Sequence, residues 1–99
     1  MITKEEILIF LKKNKSLFKK NYNVTKIGLF GSYARNEYTE KSDIDILIEL
    51  DSHTNDIFEK KQELRKYLEE NLHKNVDICR EKYIKPYVKK EILKEAVYV

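Results

Sequence analysis

The sequence predicts a single α/β (α+β) domain with a small mixed β-sheet and helices packed on one face of the sheet. Short runs rich in apolar and β-branched residues have the length and boundaries of buried strands: residues 24–30, 43–50 and 76–79. Apolar residues at helical spacing predict helices: about residues 4–20, about residues 57–72, and from residue 86 onward. The predicted order is helix, strand, strand, helix, strand, helix, which is typical of an α/β or α+β domain.

Length and composition fit one globular domain spanning residues 1–99. A chain of 99 residues buries roughly 60–68 % of the surface that its unfolded form exposes, which is enough for one core and too little for two. Hydrophobic residues make up 41 % and charged residues 37 % of the chain, with one proline and two glycines, which excludes the disordered and collagen-like classes. The 20 basic residues nearly balance the 17 acidic ones, so the composition gives no support for a nucleic-acid partner.

We expect a cytoplasmic protein with no membrane association. The single cysteine, Cys79, cannot form an internal disulfide, and no basic and apolar leader precedes the first charged residues. No apolar run approaches the roughly 20 residues that cross a bilayer.

Capping and turn residues mark where the predicted helices begin and end. Thr3 and Glu6 have the spacing of a capping box, in which the hydroxyl and the carboxylate satisfy amides at a helix start. Asn23 tolerates left-handed backbone angles and is a plausible turn residue before the first strand. Pro86 suits the first turn of the last helix, where its missing amide costs nothing.

The first predicted strand ends in a glycine–serine turn. Strand 24–30 stops at Gly31, and Gly28 within it indicates a place where another backbone or a ligand comes close. The turn of Gly31 and Ser32 presents backbone amides that can approach phosphate oxygens, and the serine hydroxyl adds a donor. Such a turn alone is a weak signal, because most of them are only structural.

Aspartates lie on one face of the second and third predicted strands. In the run 43–50 the isoleucines share one face, and Asp43 and Asp45 point to the other. The run 76–79 alternates in the same way and places Asp77 opposite its apolar residues. We therefore expect three carboxylates on the face of the sheet that the helices leave uncovered.

Three neighbouring carboxylates predict a metal site. Carboxylates placed together raise one another's pKa and cost stability, and a divalent cation resolves that repulsion. Hard oxygen ligands favour Mg²⁺, or Mn²⁺, over the metals that prefer Cys and His. Two ions ~3.5–4 Å apart can activate an attacking oxygen and hold a leaving one. We predict that Asp43, Asp45 and Asp77 bind two such ions for phosphoryl transfer, with Asp77 also a candidate to accept the nucleophile's proton.

The turn and the aspartates together match a known signature. Gly31-Ser32, ten residues, and then Asp43-Ile44-Asp45 resemble the signature of the nucleotidyltransferase superfamily that includes DNA polymerase beta. The segments GSYAR and SDIDILI are similar to those of the minimal nucleotidyltransferases encoded beside HEPN-domain toxins, and the resemblance covers essentially the whole chain. Where many relatives follow Ala-Arg with Gly, this chain has Asn36, which can adopt similar backbone angles.

The resemblance implies a polymerase beta-like nucleotidyltransferase fold and a role for each site residue. Gly31 and Ser32 would hold the triphosphate of ATP, Asp43 and Asp45 would bind Mg²⁺, and Asp77 would be the third metal ligand and a possible base. The implied reaction in such antitoxins transfers AMP from ATP to a tyrosine of the cognate HEPN toxin, which silences the toxin. Because the chain has the size of the catalytic module alone, we expect a partner protein to bring the acceptor.

Several alternatives stay open at this point. Arg35 can pair with phosphate, as a nucleotide-binding residue, or with a nearby acid such as Glu37 or Glu40. A nucleotide base stacking on Tyr33 is conceivable. The chain could also neutralise its partner by binding without catalysis, or act on a small-molecule acceptor as a homodimer.

Overall fold

A computed structural model describes residues 1–99 and contains a four-stranded mixed sheet in the order β3-β2-β1-β4. The helices are α1 (Lys4–Lys13), α2 (Lys15–Tyr22), α3 (Gly31–Ala34), α4 (Ile57–Leu72) and α5 (Pro86–Glu95), with a short 3-10 helix at Glu81–Tyr83. The strands are β1 (Val24–Phe30), β2 (Ile44–Leu50), β3 (Val76–Arg80) and β4 (Val97–Tyr98). The α/β fold class and the three predicted strands are confirmed.

The first predicted helix is divided into α1 and α2 at Asn14. The Asn14 side-chain amide donates to the Phe10 carbonyl over 2.9 Å, and the residue takes φ −105° and ψ 11°. A side chain that bonds the backbone in this way competes with helix continuation. The capping box of Thr3 and Glu6 is present at the start of α1, and Asn23 has the expected left-handed angles after α2.

Both antiparallel and parallel pairings build the sheet. β1 pairs with β2 antiparallel, and β2 pairs with β3 parallel in a register that sets Asp45 opposite Asp77. The sequence did not predict β4, which has two residues and pairs antiparallel with β1 at Gly28 and Leu29. A Cβ on Gly28 would lie 2.7 Å from Cδ1 of Tyr98 and 3.0 Å from the Val97 carbonyl oxygen. The close approach expected at Gly28 is therefore made by β4.

One apolar cluster holds four of the helices against the sheet. It joins side chains of α1, α2, α3 and α4 to the isoleucine face of β2 and to β1 and β3. Its fully buried members from the helices and from β2 are Ile7, Leu11, Phe18, Tyr33, Leu64, Leu68, Ile44 and Ile46. Burial of such side chains contributes roughly 1.5–3 kcal/mol each, which makes this face the main source of stability.

The last helix is placed differently from the others. None of the residues of α5 is buried, and the helix contacts α3 and β1. Its final turn contacts Gly31: the Glu95 carboxylate accepts a hydrogen bond from the Gly31 amide. The end of α5 therefore lies beside the predicted phosphate-binding turn.

None of the five helices is long and apolar enough to cross a membrane.

Replacing Gly28 by alanine tests the packing of β4. The added methyl group would press on Tyr98, so we expect Gly28→Ala to lower the free energy of unfolding by about 1–3 kcal/mol, measured by urea denaturation. The cost should be smaller in a Tyr98→Ala background, because the ring that obstructs the methyl group is then absent. An equal cost in both backgrounds would contradict this packing.

Candidate active site

Gly31 joins the end of β1 to the start of α3 in a conformation that requires glycine. Its φ is +73°, in the left-handed region that side chains disfavour. A Cβ at this position would also collide with the carboxylate of Asp45, whose own Cβ would lie only 3.1 Å away. The preceding residue, Phe30, pairs with Asp45 across β1 and β2. The sheet register thus brings the predicted phosphate-binding turn and the central predicted metal ligand together.

The segment after Gly31 is held by buried aromatic packing. The Tyr33 side chain is fully buried, stacks on Tyr38 with ring centroids 4.0 Å apart, and donates its hydroxyl to the Ile2 carbonyl over 3.1 Å. Base stacking on Tyr33 is therefore wrong, because no face of the ring is open to a nucleotide. Asn36 has φ 60°, so it adopts the left-handed angles expected of it in place of glycine.

The three predicted metal ligands lie near one another on neighbouring strands. Asp45 and Asp77 are register partners on β2 and β3, and adjacent strands are about 4.8 Å apart. Asp43 immediately precedes β2. Asp45 is partly buried, whereas Asp43 and Asp77 are exposed. Incoming groups can therefore reach the carboxylates of Asp43 and Asp77 more easily than that of Asp45.

The charge environment of Asp45 shows that this proximity has an energetic cost. Burial, followed by the negative charges of Asp77 and Asp43, raises the pKa of Asp45 to about 6, and the nearby Arg35 opposes the rise. Repulsion of this kind between neighbouring carboxylates is relieved when a cation binds among them.

The donor chemistry fits Mg²⁺, although the side chains are not gathered into a finished cage. Nowhere in the chain do three or more His, Cys, Asp or Glu side chains come together closely enough to hold a metal ion. Oxygen donors from Asp43, Asp45 and Asp77 are nevertheless of the type that Mg²⁺ prefers, and this ion commonly keeps waters and substrate phosphates as its other ligands. Metal binding by the three aspartates remains a prediction.

Arg35 is engaged by acids. Its Nε donates to Glu37 over 3.2 Å, and its Nη1 donates to both carboxylate oxygens of Glu95 over 3.1 Å. These partners raise the already high pKa of Arg35, Glu95 most strongly. Of the two acids named from the sequence, the structure shows Glu37 as a partner. Glu95 is an additional partner, and phosphate binding by Arg35 stays a prediction.

Glu95 is the site residue that sequence reasoning missed. Its Oε1 accepts from the Gly31 amide over 3.2 Å as well as from Arg35, and its charge contributes to the raised pKa of Asp45. The pairing of Val97–Tyr98 with β1 carries Glu95 to the turn, and two residues are too short a run to give a signal in the sequence.

An apolar groove lies on the Asp77 side of the site. Its volume is about 710 Å³, and its lining includes exposed rings from α4 and the 3-10 helix, Phe58 and Tyr83, with no acidic residue. Cys79 of β3 lines the groove, and its thiol pKa is raised first by burial and then by Asp77. The groove therefore adjoins the aspartates on the side of β3, whereas the Gly31 turn adjoins them on the side of β1.

Relatives along the full chain support the resemblance seen in the sequence. The "Putative protein adenylyltransferase MJ1379" of Methanocaldococcus jannaschii is 47 % identical over 100 % of both chains. The "Protein adenylyltransferase MntA" of Thermococcus cleftensis is 38 % identical over 100 % of this chain and 98 % of the relative.

Solved structures have the same fold. A "putative minimal nucleotidyltransferase" superposes with a TM-score of 0.81 at 27 % identity, covering 97 % of this chain and 95 % of the other. A toxin–antitoxin structure with AMP-PNP superposes with a TM-score of 0.66 at 22 % identity, covering 98 % of this chain and 72 % of the other.

A family model described as a nucleotidyltransferase domain matches residues 7–99. This match spans nearly the whole described fold, including the turn at Gly31, the three aspartates and Glu95. The chain therefore belongs to the nucleotidyltransferase domain family and is a nucleotidyltransferase, as the Gly-Ser and Asp-x-Asp signature indicated.

Proposed function

We propose that the protein transfers AMP from ATP to a tyrosine of a cognate HEPN-domain toxin and acts as its antitoxin. The observation that carries the proposal is the register that places the Gly31 turn beside Asp45 and Asp45 beside Asp77. Full-length relatives that are named protein adenylyltransferases support the choice of a protein acceptor. The toxin–antitoxin structure with the same fold supports a toxin as the partner.

Each site residue has a role in this proposal. The amides of the turn at Gly31 and Ser32 and the guanidinium of Arg35 would bind the triphosphate, because backbone and charged donors of this kind suit phosphate oxygens. Asp43, Asp45 and Asp77 would hold Mg²⁺, which when bound would neutralise phosphate charge and assist departure of pyrophosphate.

The acceptor would approach from the side of Asp77. The tyrosine oxygen attacks the α-phosphorus in line with the bond to pyrophosphate, so the new P–O bond forms as that bond breaks. Asp77 is exposed and could receive the tyrosine proton. The partly buried Asp45 would stay in place between the turn and Asp77, where it orients the other groups.

The apolar groove supports a macromolecular acceptor. Phe58 and Tyr83 are each 69 % exposed, and large apolar side chains clustered around one groove are typical of protein interfaces. The charged residues in its lining are all basic: Lys61, Arg80 and Lys85. We expect the groove to seat an apolar, acidic segment of the partner close to its acceptor tyrosine.

Transfer of a labelled nucleotide tests the proposed reaction. We expect the protein to label the toxin encoded beside its own gene when the two are incubated with Mg²⁺ and ATP labelled at the α-phosphate. Asp45→Asn should lower the rate roughly a hundredfold or more, because a charged ligand in the reacting centre is lost. Asp56→Asn is the matched control, since this exposed aspartate has φ 54°, which asparagine also tolerates.

The same experiment separates the alternatives. Absence of labelling by the wild type, beside an active control enzyme, would contradict protein adenylylation. Neutralisation of the toxin by Asp43→Asn and Asp77→Asn as fully as by the wild type would show that binding alone silences the toxin. Labelling of hydroxyl compounds without any protein partner would indicate a small-molecule acceptor.

Thermal stability tests the cost of ionising Asp45, which comes first from burial and then from the charges of Asp77 and Asp43. The folded-state pKa of Asp45, about 6, exceeds its unfolded value of about 3.9, so the folded protein loses stability as pH rises between these values. In EDTA at pH 7.5, Asp45→Asn should gain on the order of 1 kcal/mol, or roughly 4–8 °C in Tm, an amount reduced for solvent screening.

This gain should shrink at pH 5, where the folded-state Asp45 carries its proton, and in millimolar Mg²⁺, which relieves the repulsion in the wild type. Glu70→Gln, at an exposed position of α4, is the control for loss of one charge. A gain that is the same at pH 5 and 7.5 would contradict the assigned titration, and a gain unchanged by Mg²⁺ would contradict metal binding at this carboxylate in the absence of nucleotide.

The groove is tested by a surface substitution with a matched control. Phe58→Ser should lower transfer to the toxin tenfold or more, because truncation of a central apolar anchor typically costs over 1 kcal/mol of binding. ATP binding should not change. Ile9→Ser removes an equally exposed apolar side chain, 66 % exposed, from α1 and should leave transfer unaltered. Equal losses in both variants would contradict a role for the groove.

A further inference from the structure

Glu95 is bound by the groups to which the proposed function assigns the nucleotide triphosphate. The Gly31 amide and Arg35 both donate to its carboxylate, over 3.2 and 3.1 Å. A carboxylate that accepts from a backbone amide and a guanidinium uses the same donors that a phosphate oxygen would use.

Strand pairing brings Glu95 to the turn. β4 pairs with β1 so that Gly28 lies opposite Tyr98 and Leu29 lies opposite Val97. Glu95 ends α5 two residues before β4, so this pairing carries its backbone toward Gly31 at the end of β1. The carboxylate itself is held there only by hydrogen bonds from Gly31 and Arg35.

We propose that Glu95 occupies the place of a nucleotide phosphate in the free protein, so that ATP must displace its carboxylate and release the end of α5. This inference rests on the proposed function, because it takes the Gly31 turn and Arg35 as the phosphate-binding groups. Gly31 cannot give the same amide hydrogen fully to both acceptors. Arg35 Nη1 likewise donates to both carboxylate oxygens of Glu95, so its hydrogens are engaged until that carboxylate leaves.

The surroundings of Glu95 allow the displacement. The Arg35 and Glu95 side chains are 42 % and 22 % exposed, so water reaches the ion pair and weakens it. None of the residues of α5 is buried, so its last turn can shift without opening the apolar cluster. The nucleotide would thus replace the contacts of Glu95 with phosphate contacts to the same donors.

Calorimetric titration of the full chain with ATP and Mg²⁺ tests this competition. Glu95→Ala should bind ATP roughly fivefold or more tightly than the wild type, which corresponds to loss of one competing exposed ion pair. Glu95→Gln should show a smaller gain, because its amide oxygen still accepts from Gly31 while the negative charge that Glu95 sets against Arg35 is gone.

Glu37→Gln is the matched control. Glu37 also accepts from Arg35, but it does not contact Gly31. Glu37→Gln therefore removes one negative charge beside the guanidinium and leaves the Gly31 amide bonded to Glu95. Glu91→Gln, an exposed position on the same helix, controls for loss of charge from α5. Both control variants should bind ATP less tightly than Glu95→Ala.

Amide hydrogen exchange provides a second measurement. If Glu95 had a purely structural role, ATP would not change the exchange rates near it. ATP should speed exchange of the amides of residues 96–99 in the wild type and should change them little in Glu95→Ala, where the contact is already absent.

Each outcome decides the inference. Equal or weaker ATP binding by Glu95→Ala would overturn it and would make Glu95 a residue that positions the turn. A gain of the same size in Glu37→Gln would also overturn it, because charge alone would then explain the effect. Absence of ATP binding by every variant, wild type included, would overturn both the inference and the proposed function.

Discussion

The close approach of the Gly31 backbone to the Asp45 carboxylate is the contact on which the site depends. It requires a residue without a Cβ at the end of β1, because a Cβ there would collide with the carboxylate. It also requires β1 and β2 to pair in one register, since a shift by one residue would turn Asp45 toward the apolar cluster. The phosphate-binding turn and the metal-binding carboxylate are therefore positioned by the same strand pair.

Stability and chemistry are divided between the two faces of β2. Its isoleucines are fully or almost fully buried against α1, α2 and α4, and that burial stabilises the domain. Its opposite face carries Asp45, whose raised pKa reports a local cost. The domain tolerates this cost of burial and repulsion because the isoleucine face is well packed, and a cation at the aspartates would offset the repulsion when one binds. Sites that perform chemistry commonly store this kind of unfavourable charge.

Much of the fold and of the site could be predicted because local signals agreed with one another. Alternation placed Asp43 and Asp45 on one face, and the left-handed angles of Asn36 followed from its residue type. The break at Asn14 was missed because the apolar spacing continues through it, while the competition that ends α1 comes from one side chain.

The role of Glu95 could not be predicted either, because it follows from a long-range pairing of two residues in β4. A run this short has no periodicity to detect. The same limit applies to Tyr33, whose burial depends on packing against Tyr38 and on a hydrogen bond to the Ile2 carbonyl, just before α1. Contacts between residues far apart in the chain leave little trace in the local pattern. Those that carry Glu95 to the turn were found only in the folded structure.

A crystal structure of the protein with Mg²⁺ and a non-hydrolysable ATP analogue tests the proposed site most directly. We expect the triphosphate on the amides of Gly31 and Ser32, a metal ion between the phosphates and Asp43 and Asp45, and Glu95 withdrawn from the turn. A nucleotide bound in the groove at Phe58, with Glu95 still on Gly31 and no ion at the aspartates, would contradict it.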